Sequence, residues 1–240
     1  MSWNVNKLKE DVRVLYGDEL ACLLEPTVRS FQWRLDFAHY HYNAAIREME
    51  GGIGERDSEE VVALIHGIDG ENALRTYYSA QRRALANYVA CIQSIHALSD
   101  TLAHVIYFGL AMALDKATRL KDRDISLYNV WSKLSAVPDG VNLQVLLKEL
   151  REHPEFRYLN RLTNLTKHRA IMDARHTVSL VEGEPDGFRL PSFKADEETY
   201  PARWLEPVLS SEFRRQNVLH IDIGCELNDI LAKRLSACPP

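Results

Sequence analysis

The chain has 240 residues, of which 46% are hydrophobic and 26% are charged. These proportions are typical of an ordinary globular protein and argue against a disordered chain. The formal net charge of -5 and the isoelectric point near 6.0 argue against a broadly basic surface that coats nucleic acid. A local basic site remains compatible with this composition.

The cysteines and the amino-terminal segment bear on the cellular compartment. No two of the cysteines have the Cys-x-x-Cys spacing, so the sequence suggests neither a zinc site nor a redox dithiol. Reduced cytosolic thiols are the simplest interpretation. The first residues lack an apolar signal core, and the longest apolar run, 102–114, is too short to span a bilayer. We expect a cytoplasmic protein with no membrane association.

Helical periodicity dominates the chain up to residue 174. Pro26 is expected to start a helix, Gly17 to interrupt the one before it, and Gly109 to end the long central helix. Asp57 or Ser58, with acids at Glu59 and Glu60, is expected to cap a short helix. The spacing of apolar residues predicts helices over 4–24, 27–50, 57–67, 71–108, 125–134, 142–152, from 154 onward, and over 209–235.

After Ala174 the apolar pattern changes from a helical period to alternation. Residues 177–181 and 188–190 flank a Glu-Pro-Asp-Gly turn, which predicts a β-hairpin over about 176–194. Because Pro191 has no N–H to donate, we place the second arm at an edge of the sheet. The chain shows no repeat or clear linker, so the sequence predicts one helical domain over 1–240, with its bundle core at about 71–174.

The segment 154–176 carries the main candidate for chemistry. Pro154 suits the first turn of a helix. Arg161 and His168 are seven residues apart, which on a helix is about 700°, or nearly two full turns, so they share a face. Their Cα atoms then lie about 10 Å apart along the axis, and both side chains are long enough to reach one phosphate. The apolar stripe of the same helix consists of Phe156, Leu159, Leu162 and Leu165.

This pair of residue types suits a ribonuclease that uses no metal or other cofactor. An arginine can hold a phosphate and stabilise the charge that builds on it, while an imidazole moves protons. We therefore predict catalytic roles for Arg161 and His168, and substrate-binding roles for the neighbouring Asn164, Lys167 and Arg169. The alternative is a solvated helix face that merely collects polar residues.

The order of a helix, the basic motif and a short extended segment resembles proteins of the HEPN superfamily, whose signature is an arginine and a histidine separated by four to six residues. Arg161-Leu-Thr-Asn-Leu-Thr-Lys-His168 matches at the upper limit of that spacing, and 164–169 is similar to an Asn-x-x-Lys-His-Arg string in some HEPN-like bacterial proteins. The resemblance covers about 71–174. It implies an all-α bundle that forms a homodimer, with two motifs across one cleft, and RNA cleavage in phage defence or a toxin system.

A second polar group lies on the central helix. His96, Asp100 and His104 follow one another at steps of four residues and therefore lie along one ridge. We predict that His96 and Asp100 form a buried polar pair that supports the site by orienting a histidine or by holding Arg161. The alternative is a metal site formed by these three residues, although one helix supplies an incomplete ligand shell.

Three functions are thus compatible with the sequence. The leading one is a HEPN-like homodimer that binds or cleaves RNA or binds a nucleotide. The second is a non-catalytic binding or scaffold module that uses the same basic face. The third is a metal-dependent helical-bundle enzyme. We expect the aromatic run 37–42 to belong to the core rather than to stack on bases.

Overall fold

A computed structural model describes residues 2–168, 173–180, 185–195 and 197–237. The described residues form eight α-helices and five short strands. The helices are α1 (Val5–Tyr16), α2 (Asp18–Ile53), α3 (Ser58–Ile65), α4 (Glu71–Gly109), α5 (Leu127–Lys133), α6 (Val141–Glu152), α7 (Pro154–His168) and α8 (Leu205–Ala237). The strands are β1 (Arg175–Thr177), β2 (Gly187–Leu190), β3 (Phe193–Ala195), β4 (Glu198–Tyr200) and β5 (Arg203–Trp204). A mostly helical chain with small antiparallel sheets near its carboxyl end confirms the predicted class of fold.

The structure confirms the predicted break at Gly17 but not the predicted helix start at Pro26. The chain breaks at Gly17, whose φ of 89° suits glycine, and α2 then continues through Pro26 without interruption. Pro26 is exposed, so the carbonyl group that its ring leaves without an N–H partner lies on the solvent side of the helix. The hydroxyl of Thr27 donates to the carbonyl of Leu24 at 2.6 Å and adds a bond at the same turn. The prediction that a helix starts at Pro26 is therefore wrong.

The remaining helix predictions agree better with the structure. Asp57 caps α3 in a capping box with Glu60, and Pro154 begins α7. The long helix α4 ends at Gly109, and Ala111 then adopts a left-handed conformation with a φ of 55°. Within the described residues α4 is the one helix that meets the length and composition of a membrane span, and 56% of its apolar window is buried inside the protein.

The extended region forms two small sheets rather than one hairpin. In the first sheet β2 lies between β1 and β5, and in the second β3 pairs with β4; all three pairs are antiparallel. The predicted hairpin exists as β1 and β2, but its first arm is 175–177 and not 177–181. The predicted edge position of the second arm is wrong, because β2 is the central strand. Pro191 follows its last residue and ends it.

Backbone contacts divide the chain into two compact units. The first contains 1–35, 95–157 and 212–240, and the second contains 36–94 and 158–211. The core of the first unit is aliphatic. Side chains with no solvent exposure in it include Leu8, Val12, Leu24, Leu102, Ile106, Leu134, Leu143, Leu147, Leu227, Ile230 and Leu231.

α8 places two polar side chains in the interior of the first unit, one with hydrogen-bond partners and one without. Glu212 is fully buried and accepts two hydrogen bonds from Arg215, at 2.6 and 2.7 Å, and one from Gln216 at 2.8 Å. His220 packs edge-on against Phe31, and neither of its ring nitrogens has a hydrogen-bond partner within the described residues. Burial, helped by the nearby charge of Arg215, lowers the pKa of His220 to about 3.

The core of the second unit is rich in aromatic rings. Tyr88 on α4 contacts Tyr42 on α2 and Phe188 on β2, with ring centroids 6.4 and 5.3 Å apart. His176 on β1 lies 5.7 Å from Phe188, its cross-strand neighbour, and 6.0 Å from Tyr77 on α4. These edge-to-face contacts join the first sheet to α4.

A glycine permits α2 and α4 to approach closely within the second unit. Gly52 is buried, and a Cβ atom placed on it would lie 2.4 Å from the Cβ atom of Ala80. The neighbouring Gly51 is exposed, and an added Cβ atom would have no neighbour within 4 Å. Since Ala80 is one turn from Tyr77, this approach also helps to position Tyr77.

The free energy of unfolding should depend on pH through His220. The unfolded state binds a proton near the ordinary pKa of 6.5, whereas the folded state resists protonation down to about pH 3, so stability is highest above pH 6.5 and falls in acid. At pH 5 this group should cost about 2 kcal/mol relative to pH 7.5. Urea unfolding of the wild type and of His220→Leu at both pH values measures it. An equal loss in both proteins would contradict the assignment.

Adjacent glycines of α2 should respond oppositely to the same substitution. Gly51→Ala should raise the free energy of unfolding by up to about 1 kcal/mol, because it improves helix propensity without a clash. Gly52→Ala should lower it by about 1 to 3 kcal/mol, because the new methyl group must push α2 and α4 apart. Urea unfolding of both variants gives the comparison. A stabilised Gly52→Ala variant would show that the two helices are not in close contact.

Candidate functional site

The helix α7 brings Arg161 and His168 onto one continuous helical segment, as predicted. Of the predicted stripe, Phe156, Leu159 and Leu162 are buried and Leu165 is half-buried. Thr163 is also fully buried, and its hydroxyl donates to the carbonyl of Leu159 at 2.7 Å. One side of α7 is thus buried against the rest of the protein. The exposed polar residues Asn164 and Lys167 lie outside this buried side.

Arg161 is half-buried and contacts the second sheet. Its side chain hydrogen-bonds to that of Tyr200 on β4, whose hydroxyl also donates to Glu198 at 2.6 Å. The bond to Glu198 raises the pKa of Tyr200, burial raises it further, and Arg161 opposes both. Tyr200 therefore remains a neutral phenol at physiological pH, held between a cation and a carboxylate.

Aromatic rings surround this contact. Tyr200 stacks on Phe193 with centroids 4.9 Å apart and planes 9° apart, and Tyr158 packs against both rings. The guanidinium of Arg203 lies 5.2 Å from the centre of the Tyr158 ring. The β3–β4 hairpin thereby fixes the position of Arg161, a role that the spacing of residues along α7 does not reveal.

The predicted substrate-binding residues have different positions. Asn164 is exposed and donates to the side chain of Asn160 at 3.2 Å, and Lys167 is exposed. Arg169 lies outside the described residues, and so does the side chain of His168. The polar side of α7 is therefore open to solvent at Asn164 and Lys167.

The predicted supporting residues belong to the first unit, whereas Arg161 belongs to the second. His96 is half-buried, but Asp100 is exposed, so the expectation of a buried pair is wrong. Asp100 lies on the solvent side of α4, where its own carbonyl accepts a hydrogen bond from His104 at 2.8 Å. Within the described ranges no three His, Cys, Asp or Glu side chains come together as a metal site, which leaves the metal-dependent hypothesis without its predicted centre.

A cavity of about 480 Å³ in the second unit contains functional groups that the sequence did not single out. α4 supplies Tyr77 and Arg82, and the start of the first sheet supplies Arg175 and His176. The hydroxyl of Tyr77 lies 3.1 Å from Nδ1 of His176. The sequence signal for this site is the cluster of basic residues between 157 and 176. The sequence does not pair His176 with Tyr77, because the two are 99 positions apart.

Burial favours the neutral form of both members of the Tyr77–His176 pair. It lowers the pKa of His176, against an opposing effect from the carboxylate of Asp186, and it raises the pKa of Tyr77 to about 12. When the Tyr77 hydroxyl donates to Nδ1, the hydrogen of the imidazole resides on Nε2. The pair then offers a neutral N–H donor at the cavity.

The aromatic run on α2 is only partly a core element. Tyr42 is half-buried, but Phe37 and Tyr40 are 49% and 60% exposed, so the prediction that the run belongs to the core is wrong for these two. The helix has more aromatic residues than its buried side can accommodate, and the surplus rings face solvent.

Comparison with protein-family models, with curated proteins and with solved structures found no match to this chain. The assignment of function therefore depends on the arrangement of side chains in the two units.

The protonation of His176 should respond to the carboxylate of Asp186. Histidine resonances followed by NMR should give His176 a pKa below 6.5 in the wild type, because burial disfavours the imidazolium. Asp186→Asn should lower this pKa further, because it removes the charge that favours protonation. Asp115→Asn, which removes an exposed carboxylate of the first unit, is the control. A raised pKa in Asp186→Asn would contradict this account.

Proposed function

We propose that the protein is a HEPN-like homodimer that binds RNA along the polar side of α7 and cleaves it without a metal ion. In this proposal Arg161 holds the phosphate and His168 transfers the proton. The observation that carries the proposal is the unbroken course of α7 through both positions, with its apolar side buried and its polar side open at Asn164 and Lys167. The likeness of this motif to the HEPN signature supplies the reaction class.

The proposed reaction uses only groups present in RNA and in two subunits. His168 of one subunit takes the proton of a ribose 2′-hydroxyl, whose oxygen attacks the adjacent phosphorus. The bond from phosphorus to the 5′-oxygen of the next nucleotide breaks, and that oxygen receives a proton from His168 of the partner subunit. The products are a 2′,3′-cyclic phosphate and a 5′-hydroxyl group. A homodimer provides one neutral and one protonated imidazole for these two steps.

The cations and amides of α7 have separate tasks in this scheme. Arg161 stabilises the charge that grows on the phosphate oxygens, and the Tyr200 hydrogen bond keeps the guanidinium in place. Lys167 and Asn164 hold the flanking phosphate and ribose groups, because an exposed ammonium and an exposed amide can follow a flexible strand. The acidic net charge of the chain then disfavours non-specific RNA binding over its whole surface.

A second candidate function is a binding module without catalysis. The hydrogen bond between Arg161 and Tyr200 favours it, because a guanidinium that anchors the β3–β4 hairpin has a structural task of its own. In that case the face of α7 holds RNA or a nucleotide and leaves its bonds intact. The two functions differ in the expected effect of replacing His168.

The cleavage proposal predicts distinct effects for the two motif residues. Purified full-length protein should cleave labelled single-stranded RNA in EDTA, and a 2′-deoxy nucleotide at the cleaved position should block the reaction. His168→Ala should slow cleavage by at least about 100-fold and leave RNA affinity unchanged, because it removes proton transfer alone. Arg161→Ala should weaken both, because it removes the phosphate contact. Gel electrophoresis measures cleavage and fluorescence anisotropy measures affinity.

Matched controls separate these effects from loss of charge or of folding. Arg123→Ala removes an exposed arginine from the first unit, and His39→Ala removes an exposed histidine of α2. Both should behave as the wild type. Circular dichroism reports whether Arg161→Ala unfolds the hairpin. If it does, Arg161→Lys, which preserves the charge, replaces it in the comparison. RNA that is bound but never cleaved by the wild type would support the binding module and refute the nuclease.

A further inference from the structure

The cavity beside His176 has the dimensions and the lining of a small-molecule site. Its volume of about 480 Å³ falls within the range of roughly 300 to 1,000 Å³ that such sites occupy. All of its described lining belongs to the second unit. Arg161, Asn164 and Lys167 are not among its described lining residues, so the cavity can take a ligand of its own.

One wall of the cavity is polar and cationic. Arg82 on α4 and Arg175 on β1 contribute two exposed guanidinium groups, and Gln81 contributes an amide. One carboxylate, Asp173, also lines the cavity and lies 3.3 Å from Arg175. This ion pair is highly exposed on both sides, so it contributes little energy and an incoming anion can compete for Arg175. The described lining therefore carries more positive than negative charge.

The rest of the described lining is mostly apolar. Tyr77 and Leu85 lie eight residues apart on α4 and share one ridge, while Tyr78 follows on the adjacent ridge, one turn before Arg82. The Tyr77 and Tyr78 rings are in edge-to-face contact at 5.3 Å, and Ile65 and Ala174 complete the apolar lining. Tyr78 is 42% exposed, so part of its side chain is accessible to a ligand.

The Tyr77–His176 pair in the lining is preorganised. Tyr77 is only 1% exposed and its hydroxyl is bonded to His176, so neither side chain needs to reorder when a ligand enters. A hydrogen-bonded pair beside two exposed guanidinium groups suits a ligand site, in which fixed polar groups orient the ligand and charged groups recognise its anion.

We propose that this cavity binds a small organic anion, with a phosphate or carboxylate group between Arg82 and Arg175 and a ring-sized apolar body against Tyr77, Tyr78 and Leu85. Both anionic groups are flat or compact oxygen acceptors that a guanidinium binds through two N–H groups. In this proposal the site is separate from the face that cleaves RNA, since Arg161 is not among its described lining residues.

Binding of simple probes to the full-length protein tests this site. Phenyl phosphate and benzoate represent the two anionic groups, inorganic phosphate lacks the apolar body, and benzyl alcohol lacks the charge. Ligand-observed NMR should detect phenyl phosphate or benzoate with a dissociation constant on the order of 1 mM, as suits ligands of this size. Inorganic phosphate and benzyl alcohol should each bind at least about tenfold more weakly. Inorganic phosphate lacks the contacts with the apolar side chains, and benzyl alcohol lacks the contacts with the arginines. The stronger of the two anions identifies the preferred group.

Neighbouring arginines of α4 provide a matched pair of variants. Arg82→Ala should weaken binding of the anionic probes by at least about tenfold, because it removes a guanidinium from the lining. Arg83→Ala should leave it unchanged, because Arg83 pairs with Glu48 at 2.7 Å. Tyr78→Ala should weaken phenyl phosphate but not inorganic phosphate. In the wild type the His176 resonance should shift on addition of the probe.

Several results would overturn the proposal. It fails if neither anionic probe binds, if benzyl alcohol binds as tightly as they do, or if Arg83→Ala weakens binding as much as Arg82→Ala. It also fails if Arg161→Ala abolishes probe binding while Arg82→Ala preserves it, because the anion would then occupy the α7 face. RNA cleavage by Arg82→Ala at the wild-type rate supports two separate sites, whereas its loss would refute their independence.

Discussion

Ring contacts between α4 and the first sheet are the constraint on which the second unit depends. Each ring in the series Tyr42, Tyr88, Phe188, His176 and Tyr77 meets the next edge to face. Such contacts contribute about 0.5 to 1.5 kcal/mol each beyond the burial of area. A sheet with strands of two to four residues has few ladder hydrogen bonds, so its position depends on these rings.

The same contacts determine the chemistry of His176. An imidazole packed between Phe188 and Tyr77 loses water, and this desolvation keeps it neutral although Asp186 attracts a proton. His220 in the first unit shows the extreme of this effect, because it has lost water without gaining any hydrogen-bond partner in the described part of the chain. His176 retains the Tyr77 contact and borders a cavity, so its neutral state is available for recognition of a ligand. The ring packing that positions His176 therefore also determines its protonation state.

Local signals predicted the helices well because their causes are local. The capping box at Asp57, the stop at Gly109 and the start at Pro154 each depend on residues within one turn. The prediction failed at Pro26 because the free-energy cost of a proline inside a helix depends on its surroundings. The cost is lower where the carbonyl group that the ring leaves unpaired faces solvent, and the sequence does not show which groups do so. The exposure of Phe37 and Tyr40 has the same origin, since helical spacing identifies a face but not the neighbour that covers it.

In the candidate sites, too, local features were predicted and tertiary contacts were not. Helical spacing predicted the placement of Arg161 on α7, whereas its contact with Tyr200 joins positions that only the tertiary fold brings together. The cavity at His176 was not predicted at all, because Tyr77 and Arg82 reach β1 through the packing of α4.

This difference bears on function. A guanidinium tied to a hairpin at Tyr200 presents its charge from a fixed position, which favours recognition of a phosphate in one geometry. Lys167 and Asn164 are exposed, and Asn164 donates to the side chain of Asn160 on the same helix; in the proposed function both bind the groups that flank the phosphate. The β3–β4 hairpin is thus the element that would turn a basic helix face into a specific site, and sequence spacing on α7 alone gave no indication of it.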